Sequence, residues 1–148
     1  MRVSFEVILN KSRDSVWKAF DNPTNMKKWQ PTLKSFEPVS GTPGQAGAVS
    51  RLTYDERGRT IVLTETITLR RQPEAFAGTY DSGMAINILH NAFTEVGPSQ
   101  TKWVMESEFR FRGFWRLLAP LMRGAVAKRI REDVGRFKRM LESDQLAI

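Results

Sequence analysis

The chain has 148 residues, 23 of them basic and 16 acidic, with one histidine and no cysteine, giving a net charge of +7 and a pI near 10.1. That length fits one domain able to bury a sizeable core, and the missing thiols exclude disulfides, cysteine nucleophiles and thiolate metal sites and favour a reducing cytoplasm. No run approaches the roughly 18 apolar residues of a membrane span, and the opening MRVSFEVILNKS has neither a sustained apolar core nor a small-residue cleavage site, so a soluble protein without a secretory leader is expected.

Arg2 to Asn10 alternates Val3, Phe5, Val7 and Leu9 with Arg2, Ser4 and Glu6, which predicts a strand with one buried face. A helix follows, with Ser12 as its N-cap, Asp14 in the first turn and Val16, Trp17 and Phe20 on the apolar side. Asn22-Pro23 ends it. Thr24 to Trp29 then predicts a second short helix, capped by Thr24 and stopped before Pro31. Six extended segments come next: Leu33–Ser40, Ala46–Asp55, Arg59–Arg71, Ala75–Asp81, Met84–Val96 and Gln100–Arg112. Turn chemistry separates them at Gly41–Gly44, Glu56-Arg57-Gly58, Gln72-Pro73-Glu74, Ser82-Gly83 and Gly97-Pro98-Ser99, and such short links favour antiparallel hairpins.

Two of these segments carry informative alternation. In Arg59–Arg71, Glu65 shares a face with Ile61, Leu63, Ile67 and Leu69, while Arg70 falls among the threonines opposite. An unpaired carboxylate on an apolar face is costly, so Glu65 needs a partner or a wet cavity. In Gln100–Arg112, Trp103, Met105, Phe109 and Phe111 share a face with Ser107, and that face should meet a helix.

The helix is Phe114 to Leu141, where Phe114, Leu117, Leu118, Leu121, Val126, Ile130, Val134, Phe137 and Leu141 recur at helical spacing. At about 100° per residue, the apolar arc of Phe114–Met122 lies roughly 130° from that of Val126–Leu141, so one straight helix cannot bury both. Pro120 and Gly124 lie between the arcs, which predicts a kink or break near Leu118–Gly124 and a separate apolar flap that gates a cavity. Charge concentrates here too: from Phe114 onward there are eight basic residues against four acids. A solvated helix face neutralised by neighbours such as Arg129 and Asp133 is one reading. Attraction to an anionic membrane surface is another. Nucleic acid is not expected, because no recognition motif or interleaved stacking aromatics accompany the charge.

The order strand, helix pair, six-stranded meander and long C-terminal helix resembles the START-like, or helix-grip, superfamily. Asp14-Ser15-Val16-Trp17-Lys18-Ala19-Phe20-Asp21 followed by Trp29-Gln30-Pro31 resembles the opening of its polyketide cyclase/dehydrase-like branch. Gly44 to Ala48, Glu65-Thr66-Ile67 with Pro73-Glu74-Ala75-Phe76, and Phe137-Lys138-Arg139-Met140-Leu141-Glu142 are similar to its third-strand lead-in, its proline-marked turn and its closing helix. The resemblance implies an α+β fold in which a curved, antiparallel, seven-stranded sheet grips the long helix. It also implies a cavity between them for a small hydrophobic molecule of lipid, polyketide or aromatic type. Members include carriers and aromatase/cyclases, and fold alone does not choose between them. No residue here matches a catalytic signature of the enzymatic branches.

Candidate cavity residues follow. Glu65, Tyr54 and Tyr80 are polar groups on faces read as buried, the pattern of an apolar pocket with a few orienting groups; for Glu65 an ion pair with an arginine or acid/base work are the alternatives. His90, the sole histidine, is either pocket-facing or a structural or rim residue. Glu65, Tyr80 and His90 are thus the candidates for proton transfer. Trp103, Met105, Trp115, Leu118 and Met122 are expected to line the pocket, and Trp29 to border its entrance, with Trp17 in the core. No phosphate-binding glycine loop and no His/Glu cluster at ligand spacing appears, so neither a cofactor nor a metal is expected.

Overall fold

In the computed structural model, which describes residues 1–148, the period-two alternation becomes seven antiparallel strands. They are β1 (Arg2–Leu9), β2 (Leu33–Ser40), β3 (Val49–Glu56), β4 (Arg59–Arg71), β5 (Ala75–Asp81), β6 (Ala85–Gly97) and β7 (Gln100–Phe111). Helices α1 (Arg13–Asp21) and α2 (Pro23–Trp29) follow β1, and a 3-10 turn (Gly113–Leu117) leads into α3 (Ala119–Glu142). The strand order β1-β7-β6-β5-β4-β3-β2 makes strands two to seven a meander, with β1 closing on β7. This is the expected α+β helix-grip fold.

Caps settle the helix boundaries. The Ser12 hydroxyl accepts the Ser15 amide at 3.3 Å, as read from the sequence. The second helix differs: Asn22, not Thr24, is its cap, accepting the Thr24 amide at 3.0 Å with Pro23 in the first turn. Proline suits that position, because its missing N–H would have no intrahelical partner there.

The same chemistry puts the expected break at the start of the Leu118–Gly124 window, not at Pro120 or Gly124. Pro120 lies in the first turn of α3, which runs unbroken from Ala119 through Gly124 to Glu142. The break falls at Leu118, and the segment before it is wound as the 3-10 turn.

A bulge in β4 corrects a second expectation. Ile67 pairs with Gly78 and Leu69 with Ala77, so Thr68 is an extra residue, and the alternation changes phase after it. Gly78 opposite leaves room for this: a Cβ there would sit 2.9 Å from the Thr66 carbonyl oxygen. Arg70 consequently turns from the threonine face to Asp21 on α1, gripping both carboxylate oxygens at 2.5 and 2.8 Å, and lies over the Trp17 ring at 5.3 Å.

The core is aromatic and sits under the C-terminal half of α3. Phe137 meets Trp103 at 5.2 Å and Trp29 at 5.3 Å between ring centroids, and Phe20 meets Phe93 at 5.1 Å. Val134, Phe137 and Leu141 are the buried residues of α3; none lies in its N-terminal half, where Leu121 is 80% exposed. No helix is long and apolar enough to cross a membrane.

Candidate functional site

Because α3 is buried only at its far end, part of the inner sheet face is left without a close cover. The helix packs on α2, β1 and the 3-10 turn, with no comparable approach to β3, β4 or β5. Inward side chains there fall into rows set by register. Ser50, Glu65, Tyr80, Asn87 and Phe109 pair successively across β3 to β7. Beside them, Ile67, Gly78, Leu89, Ser107 and Val3 pair across β4, β5, β6, β7 and β1. Leu63, Tyr80, Asn87, Leu89 and Phe109 are only half-buried although they face the helix, so this inner wall is incompletely covered by α3.

The wall is apolar with a polar strip. Glu65 is buried at 5% exposure, and its carboxyl is pushed above the ordinary value by burial, with the Tyr80 hydroxyl holding it back in part. Burial likewise raises the Tyr80 phenol, reinforced by the charge that Glu65 would carry. Burial thus favours the protonated carboxyl, which beside a phenol can both donate and accept a hydrogen bond. Asn87 Oδ1 and Ser107 Oγ are buried on the same wall and have no hydrogen-bond partner within the protein.

Charged pairs tie α3 to the rim. Arg129 pairs with Glu56 of β3 and with Asp133 at 3.3 Å, donates to Thr32 Oγ1 at 2.7 Å, and lies 5.5 Å from the Tyr54 ring centroid. Arg136 bridges Asp133 at 2.9 Å and the Trp29 carbonyl oxygen at 3.1 Å. Burial raises the Asp133 carboxyl, although both arginines pull the other way. Tyr54 donates to Gln30 Oε1 at 2.7 Å, and burial lifts its phenol too. These contacts, together with Lys138 on Glu142 at 2.9 Å and Arg131 over Phe5 at 5.7 Å, occupy much of the basic helix face.

The structure therefore sorts the sequence-predicted residues. Glu65 and Tyr80 come together on the inner wall, and Tyr54 stands at its α3 side. Trp29, Trp103 and Met105 are packed in the closed core, where Trp103 Nε1 donates to Asn91 Oδ1 at 2.9 Å. His90 lies exposed on the outer face, between Ala77 and Glu106, because it alternates with the inward Leu89 and Asn91. Trp115, Leu118 and Met122 are half-buried where the 3-10 turn joins α3. Sequence reasoning missed Asn87, which shares the parity of Leu89, Asn91 and Phe93, and read Ser107 only as part of a packing face. No group of three or more histidine or carboxylate side chains is placed to hold a metal ion.

Known structures share this fold. Zhui aromatase/cyclase from Streptomyces sp. R1128 superposes with a TM-score of 0.81 at 15% identity, covering 96% of this chain and 93% of that one. Ara h 8.0201 gives 0.77 at 18% identity, covering 97% and 98%, and a START superfamily protein from Mycobacterium smegmatis gives 0.70 at 14%, covering 97% and 95%. No curated protein sequence matches. Residues 1–142 match the family described as polyketide cyclase/dehydrase and lipid transport, and the chain, START-like in fold and matched over nearly its whole length, belongs to that family.

Proposed function

We propose that this protein binds one small, largely apolar molecule non-covalently in the groove between the β3–β6 wall and the N-terminal half of α3. The polar end of that molecule is directed at Glu65, Tyr80 and Asn87. The family as a whole acts on or carries hydrophobic small molecules, as cyclases, dehydrases or lipid transporters. One observation carries the reading for this chain: an incompletely covered apolar wall brings Glu65, Tyr80 and Asn87 into one cross-strand row, beside which Asn87 Oδ1 and Ser107 Oγ, closed to solvent, lack partners. Leaving a buried polar atom unpaired costs about 1–3 kcal/mol, and a ligand with a hydroxyl or amide at one end would recover that. The absence of cysteine supports a reducing, cytoplasmic setting.

A second reading, a cyclase-type enzyme, is favoured by Glu65 alone: a carboxyl whose hold on its proton is strengthened by burial, beside a phenol, is suited to donate a proton to a substrate carbonyl. The two differ in the fate of the ligand, which a carrier returns intact.

Native mass spectrometry of the purified protein tests the binding, together with titration by the hydrophobic dye ANS. The expected result is a co-purified molecule released unchanged, with dye affinity falling about tenfold in Asn87→Leu or Glu65→Gln and lost in the groove-filling Leu63→Trp. A protein that carries nothing, and whose dye binding is indifferent to all three substitutions, overturns the proposal. Conversion of the released molecule, abolished by Glu65→Gln, establishes the enzymatic reading instead.

A further inference from the structure

One side of the segment expected to gate the groove points to solvent. Phe114, Leu117 and Leu121 are 65%, 75% and 80% exposed. A 3-10 turn repeats every three residues, which stacks Leu117 over Phe114, and the helical conformation at Leu118 carries the same side on to Leu121 four residues later. Three large apolar side chains thus project together from one tip of the molecule.

The tip is not a frayed end. Arg112, just before it, grips both oxygens of Asp81 at 2.7 and 3.0 Å, and its amide donates to the Met84 carbonyl at 2.9 Å. Arg116 and Arg123 flank the apolar trio, are exposed and enter no ion pair. The β3–β4 hairpin, at the same end of the sheet, adds exposed Arg57 and Arg59. Of the acids at this end, Glu56, Asp81 and Glu108 are already paired with arginines, leaving Asp55.

We infer that this tip is a docking surface for an anionic phospholipid bilayer: Phe114, Leu117 and Leu121 enter the headgroup–acyl boundary, and Arg116 and Arg123 meet lipid phosphates. Exposed apolar side chains ringed by unpaired cations are what an interfacial anchor needs. The surface differs from the basic outer face of α3, whose arginines are largely engaged internally, and it does not depend on what fills the groove.

Co-sedimentation with phosphatidylcholine vesicles, with and without phosphatidylglycerol, tests this. Wild-type protein is expected to pellet with the anionic vesicles and to be released by salt. Arg116→Gln and Arg123→Gln should each lower the partition coefficient about fivefold. The combined Phe114→Ser, Leu117→Ser, Leu121→Ser variant should remain in the supernatant while keeping the wild-type circular dichroism spectrum; Leu121→Asp alone serves if the triple variant misfolds. Protein that ignores anionic vesicles at low salt overturns the inference, as does a tip variant that pellets like wild type. A wild-type dimer that Leu121→Asp disperses, with no vesicle binding, assigns the tip to a second copy of the chain and also overturns it.

Discussion

Glu65 occupies a row whose other inward members cannot neutralise it, since its cross-strand neighbours are Ser50 and the Tyr80 phenol. Burial raises its carboxyl above the ordinary range, so the folded state holds that proton more tightly than the unfolded chain does. The contribution of Glu65 to stability is therefore constant below the ordinary glutamate value of about 4.3 and declines as pH rises from there through the raised value. Glu65→Gln removes this slope. Melting temperatures measured from acid to neutral pH should show a widening gap in favour of the variant, whereas parallel curves would mean that Glu65 gains a compensating partner when ionised. The half-buried Asp133 carboxyl shifts in the same direction, so some pH dependence survives in the variant. Arg70 shows where single residues escape a periodic reading. One extra residue at Thr68 reverses the phase, and the only trace in the sequence is the glycine opposite, Gly78, which has other common meanings.

At the scale of elements, strands were the most legible part, because one buried and one solvated face enforce alternation and the turn residues bound it. Leu33–Ser40, Arg59–Arg71 and Ala75–Asp81 have the bounds read from the sequence. The long helix was legible as a phase conflict but not in its resolution. Two apolar arcs roughly 130° apart can be reconciled by a break or by leaving one arc unburied, and the chain does both, breaking at Leu118 and leaving Phe114, Leu117 and Leu121 exposed, which hydrophobic spacing alone cannot reveal. Gly124 tests whether a second break is needed further along. It lies inside continuous α3 with open space around the site of a Cβ, so it supplies neither a hinge nor a close approach. Gly124→Ala should raise unfolding free energy by about 1 kcal/mol in urea titration; a loss would indicate that this turn needs glycine's freedom.

For the whole molecule, the division of α3 is the organising fact. Its C-terminal half closes an aromatic core, while its N-terminal half spans an inner wall that it does not seal, ending in an apolar tip. The fold followed from element order, which survives sequence divergence because each element's pattern is local. The site did not, because which inward residues face a sealed core and which face open space depends on how far the helix stands from the sheet. Trp103 and Met105 share Ser107's parity yet lie in the closed half, and nothing in the alternation marks that change along β7. If the halves are separable, a cavity cut in one should leave the other working. Phe137 is fully buried among Trp29, Trp103 and Phe20, so Phe137→Ala should cost about 3–5 kcal/mol in urea unfolding. Under conditions where that variant remains folded, any molecule that co-purifies with the wild type should still be bound at wild-type occupancy. Loss of ligand in step with loss of stability would instead make the core a part of the binding site, with α3 responding as one rigid lever rather than two independent halves.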